Sequence, residues 1–154
     1  MMQGLYAEQR TLEPGISLSQ DIARHLYMRQ FCGKAVIVTD LPGARISAVR
    51  KQWLIIERSA QREKASTLKL TRVQELSRQV AHAQRFRFIA SPPQEHPERD
   101  VFFVLPTDQV MLPASCQTLY MTCHVERSWY EDLTRQLHEG ALVVVYQEVG
   151  GPNG

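Results

Sequence analysis

The stretch Ala35-Val36-Ile37-Val38-Thr39-Asp40-Leu41, followed at once by Pro42-Gly43, decides the fold of this chain. Val36, Ile37, Val38 and Thr39 are β-branched, which stiffens χ1 and favours a strand. The run is also short enough to be two helical turns held by packing, and periodicity does not separate the two for so short a segment. As a strand it ends in Asp40 ahead of a turn and a helix. Many nucleotide-binding α/β enzymes place a carboxylate near magnesium in this way, but no GxxxxGK[ST] or GxGxxG loop accompanies it here. As a helix it is the middle of a compact right-angled unit closed by the Pro-Gly turn. Amphipathic patterns flank it on both sides, so the helix is the expectation adopted.

Upstream, Ser17 and Gln20 have capping-box spacing. Leu18, Ile22 and Leu26, with Ala23 and Tyr27, form one apolar face that stops near Gly33. Downstream, Ile46, Val49, Trp53 and Ile56 predict a helix from Ala44 to Ser59. Thr71 and Gln74 open another, with Val73, Leu76, Val80 and Ala83 inward. The period then changes. Phe86 and Phe88 alternate with Arg85 and Arg87, a strand signal. Val101–Leu105 and Thr118–Val125 are further strand candidates, and Gln109–Leu112 a short one. Ser128 with Glu131 suggests a last capping box, for a helix carrying Trp129, Leu133 and Leu137 inward as far as Gly140. Ala141–Val149 closes the series as a strand, read either as an exposed, self-pairing edge or as a covered centre.

The expected fold is therefore α+β, an N-terminal helical half containing a helix-turn-helix packed on a small C-terminal mixed β-sheet with one helix. The expected divisions are an exposed arm (1–16), a basic helical region (17–84), an acidic β-rich region (85–149) and a tail (150–154).

Composition agrees with a globular chain: 44% of the 154 residues are hydrophobic and 22% charged. No apolar run approaches the roughly 20 residues that span a bilayer. Three cysteines, Cys32, Cys116 and Cys123, fit a reduced, cytoplasmic setting better than a disulfide framework. They lack the CxxC spacing of structural zinc, so no metal and no cofactor are expected. Adjacent Cys123 and His124 on a strand would point to opposite faces, against a catalytic pair. With no specific catalytic motif, the chain is not expected to be an enzyme.

Charge carries the functional expectation. The formal net charge of +2 conceals eleven Lys/Arg against three Asp/Glu in residues 44–87, and three against nine in residues 88–154. A recognition helix needs an inward apolar stripe and an outward face able to reach bases. Arg45, Ser47, Arg50, Lys51 and Gln52 supply that face, and Arg58, Arg62 and Lys64 would neutralise phosphates. The expected function is a DNA-binding transcriptional regulator with double-stranded DNA as partner, residues 85–149 serving homo-oligomerisation or docking of a partner protein. The alternative is a protein-interaction or inhibitor module whose basic face docks on an acidic partner.

Ala23-x-x-Leu26, Thr39-x-Leu41, Arg45-Ile46, Val49 and Lys51 resemble the helical N-terminal region of the flagellar master transcriptional activator family, which has relatives on conjugative mobile elements. Leu68-x-Leu70, Val73, Leu76-Ser77 and Phe86-Arg87-Phe88 resemble a stretch of that activator's partner subunit. The resemblance implies heteromeric DNA binding and covers about 65 residues of apolar spacing. It implies no zinc site here, since the four cysteines that hold zinc in that family are not matched.

Overall fold

The computed structural model describes residues 4–29, 33–67, 86–90 and 100–147; side chains at 61 and 63–67 lie outside the description. The helix expected from Thr71, the loop at 91–99 and Cys32 also fall outside the described residues.

Lys34–Val38 is a strand, β2, with all five residues buried. It pairs in parallel with β4 (Asp100–Val104) on one side and β5 (Cys116–Met121) on the other. This overturns the helix expected at residues 36–41, and the helix-turn-helix with it. Both faces of β2 are covered, so its inward and outward residues are equally apolar and no alternation marks it. Around it run β1 (Tyr6–Arg10), α1 (Leu18–Met28), α2 (Pro42–Thr67), β3 (Arg87–Ile89), α3 (Arg127–Thr134) and β6 (Leu142–Tyr146). The six strands form one sheet in the order β1-β6-β5-β2-β4-β3, every described pair parallel. Helices and strands are thus interleaved along the chain, and the sheet is parallel where a mixed C-terminal one was expected.

Parallel strands need crossovers, and these place helices on both faces. Ala35, Ile37, Val101, Phe103, Tyr120 and Val144 pack beneath α1 and α2, against Leu18, Ile22, Leu26, Val49 and Trp53. Val36, Val38, Phe102, Leu119, Met121 and Val143 face the other way, toward Leu133 of α3. Trp53 centres the first layer. Its ring lies 5.1 Å from Tyr27 and 5.1 Å from Phe86, and its indole N–H donates to Glu57 Oε2 at 3.0 Å.

The capping box of α1 is present as expected: Ser17 Oγ accepts from Gln20 N and Gln20 Oε1 accepts from Ser17 N. The one expected at Ser128 is not. Glu126 holds the N-cap position of α3 without a side-chain bond, and the helix ends at Thr134, short of Gly140. Gln109–Leu112 is irregular. The arm expected at 1–16 contains β1, which pairs with β6 from Tyr6↔Leu142 to Arg10↔Tyr146. That pairing makes β6 an inner strand between β1 and β5, so it offers no edge for self-association.

Candidate functional site at the carboxyl edge of the sheet

The connections diverge at the boundary between β2 and β5. From β2 the chain crosses the face of α2 towards β3; from β5 it crosses the opposite face through α3 towards β6. In open α/β sheets the crevice outside the carboxyl ends of the strands at such a point is where ligands bind.

Its floor is tightly stitched. Thr39 N–H donates to Val104 O at 2.9 Å, extending the ladder past the end of β2. On the other side, the Thr122 hydroxyl donates to Val38 O at 2.6 Å, and Thr122 N–H to the same oxygen at 3.2 Å. Only Thr39, Asp40 and Leu41 separate β2 from α2. Leu41 O accepts from Arg45 N–H at 2.9 Å, which makes Leu41 the N-cap residue, one with no polar side chain to give.

Arg45, in the first turn of α2, is 8% exposed. Side chains on a helix lean towards its N-terminus, and this one reaches across to α1, where Nη1 donates to Ser19 Oγ at 2.8 Å. Nε is buried with no hydrogen-bond partner. Among the described residues no carboxylate lies within salt-bridge distance of Arg45. Burial pushes its guanidinium below the usual arginine range, against an opposing pull from Asp40 and Cys123. The charge therefore sits among Ser19, Asp40 and Cys123, beside the N-termini of two helices. A buried charge is ordinarily paired, because its desolvation costs several kcal/mol.

The other residues expected to touch DNA have separate fates. Ser47, Lys51, Arg58 and Arg62 are exposed and share a face at helical spacing, with Leu54 between them. Gln52 is half-buried. Arg50 is exposed but employed, donating to Phe88 O at 3.2 Å with its guanidinium carbon 5.8 Å from the Phe88 ring centroid. Lys64 belongs to α2, with its side chain outside the described residues.

Of the described cysteines, Cys116 opens β5 and Cys123 lies two residues beyond its end. Burial pushes the Cys116 thiol up to about 12. Burial also raises Cys123, aided by Asp40 and opposed by Arg45 and the Asp40 N–H. A raised pKa starves a thiol of its nucleophilic thiolate form.

A second concavity, of about 450 Å³, lies on the α3 face beside Thr107–Met111. Several of its polar groups are already occupied. Trp129 Nε1 donates to Asp108 O at 2.9 Å, Asp108 Oδ2 accepts from Leu105 N at 3.2 Å, and Asp132 pairs with Arg135 at 2.9 Å. Gln136 bridges Leu112 N and Val110 O at 2.8 and 3.0 Å. These bonds fasten the loop to the helix. The β2–β5 edge holds the buried arginine with an unpaired Nε, and it is the stronger candidate.

The described residues thus form an open, all-parallel six-stranded sheet with helices on both faces and a buried cationic group beside its divergence point. Comparison with protein-family models, with curated proteins and with solved structures found no match.

Proposed function

We propose that the chain is a small-molecule-binding α/β module whose ligand occupies the carboxyl-edge crevice between β2 and β5. One observation carries the reading: a nine-tenths-buried arginine stands at the divergence point of the sheet with its Nε unpaired and no carboxylate in salt-bridge distance. The test is amide chemical-shift mapping against a panel of neutral and anionic metabolite-sized molecules. Shifts clustered on residues 39–45 and 122–123 are expected. Shifts confined to 107–112 and 129–136 would move the site to the opposite face.

The exposed Lys51, Arg58 and Arg62 favour a second reading, contact of α2 with the phosphate backbone of DNA. Without a helix-turn-helix, base recognition has no support, and the contact would be sequence-independent. Affinity should then fall steeply with salt through counterion release. Binding that survives salt would favour an acidic protein partner instead.

A further inference from the structure

α1 and α2, whose first turns flank Arg45, begin differently. The first turn of α1 is closed by Ser17 and Gln20. The first turn of α2 is open. Pro42 has no N–H, and Gly43 and Ala44 have no hydrogen-bond partner for theirs among the described residues. Both are exposed, and a Cβ added to Gly43 would meet nothing within 4 Å. No acidic residue stands in that turn to answer the helix dipole, although α2 runs for 26 residues.

Arg45 belongs to the same turn. Nε is buried without a partner, Nη1 is held by Ser19, and Nη2 has no hydrogen-bond partner among the described residues. Two backbone N–H groups and one guanidinium nitrogen at a helix N-terminus supply three donors and positive potential. A phosphate monoester has three terminal oxygens and up to two negative charges, which matches that set; a carboxylate has two oxygens and one charge. We propose that the ligand of the crevice bears a phosphate group, held between the open N-terminus of α2 and the Arg45 guanidinium. This inference rests on the crevice being the ligand site and adds the chemistry of what binds there. Asp40, exposed at the same edge, would repel such a group, so the site is tuned for modest affinity and not for permanent occupancy.

The experiment uses the whole chain at low ionic strength with inorganic phosphate as probe, read by the amides of Gly43 and Ala44 and the Arg45 Nε–H. Saturable shifts at these groups are expected, with acetate producing none at equal ionic strength. Arg45→Met should weaken phosphate at least tenfold. Ala44→Pro, which deletes one donor in a turn that tolerates proline, should weaken it several-fold, and Asp40→Asn should strengthen it two- to threefold. Phosphate shifts spread along Lys51, Arg58 and Arg62 and indifferent to Arg45→Met would overturn the inference. So would a neutral nucleoside binding in the crevice while phosphate does not, an outcome that leaves the ligand site standing and removes only its phosphate chemistry.

Discussion

Arg10 and Arg45 both reach towards α1, and the molecule treats them in opposite ways. Arg10, at the end of β1, gives Nε and Nη2 to the Asp21 carboxylate at 2.6 and 2.8 Å and Nη1 to Glu8 at 2.6 Å. Asp21 also accepts from the Tyr146 hydroxyl at 2.7 Å. His25 lies 2.6 Å from the Tyr120 hydroxyl and 3.3 Å from Glu8 Oε1. The guanidinium is answered at three nitrogens, and its bond to Asp21 holds its pKa well above the usual arginine range. Arg45 has one bond, to a neutral hydroxyl, and burial pulls it the other way. The first arrangement fastens an otherwise sparse edge strand to α1, β5 and β6. The second leaves Nε buried without a partner. Saturation marks scaffold, and the deficit at Arg45 is what the proposed ligand would answer.

The largest effect should come from breaking the saturated side. Asp21→Ala orphans two Arg10 nitrogens and the Tyr146 hydroxyl together. Removing the shared partner of a part-buried charged network, with three hydrogen bonds lost at once, costs on the order of 3 kcal/mol. At roughly 2–4 °C per kcal/mol for a chain of this size, the melting temperature should fall by about 6–12 °C. A thermal melt checks this, and a drop under about 2 °C would mean that the network is ornamental.

A smaller effect is expected from pH. Burial lowers His25 from its ordinary 6.5 and outweighs the pull of Glu8. A neutral ring suits both neighbours, since Nδ1 can accept from the Tyr120 hydroxyl while Nε2–H donates to Glu8. For Asp21 and Glu8, burial acts upward but is outweighed by their hydrogen bonds and charged partners, so both end below their ordinary 3.8 and 4.5. All three groups bind protons less readily folded than unfolded. Their stabilisation is therefore complete above the unfolded values and lost as pH falls. His25 acts first, below 6.5, and the carboxylates follow below about 4.5. Urea midpoints should decline between pH 7 and 5.5 in the parent and stay level over that span in His25→Gln, whose amide can keep both bonds. Parallel curves would remove His25 from the account.

Much of this division was hidden in the sequence, for physical reasons. The α1 cap and stripe were legible because Ser17, Gln20, Ile22 and Leu26 act over one or two helical turns, where spacing is geometry. The strands Arg87–Ile89, Asp100–Val104, Cys116–Met121 and Leu142–Tyr146 announced themselves through apolar, β-branched and aromatic runs. At β2, burial on both faces erased the alternation that would have chosen strand over helix. β1 carried no apolar signal, because Glu8 and Arg10 work through α1, far off in sequence. Arg45 was expected on an outward, DNA-facing surface with its neighbours Ser47 and Lys51. The stripe of Val49 and Trp53 did place those two outward; Arg45, one turn earlier, lies inward against Ser19. Arg50 was likewise expected to be free for DNA, and its bond to Phe88 depends on a strand 38 residues away.

The smallest expected change in stability sharpens the comparison most. Arg45→Met removes a buried cation and keeps an apolar stem of similar reach. It loses the bond to Ser19, worth about 1 kcal/mol. It also removes a charge held out of water without a counter-ion, and replacing buried charges by apolar groups is often neutral or stabilising. The two terms oppose, so the unfolding free energy should stay within about 1 kcal/mol of the parent, against about 3 for Asp21→Ala. Phosphate separates the variants further. At ten times its dissociation constant a ligand that binds only the folded state adds about 1.4 kcal/mol. The parent should gain that increment and Arg45→Met, binding at least tenfold more weakly, at most about 0.4 kcal/mol, so phosphate should raise the melting temperature of the first by more than three times as much. Equal gains in both would show that Arg45 is buried for packing, and its missing partner would then say nothing about a ligand.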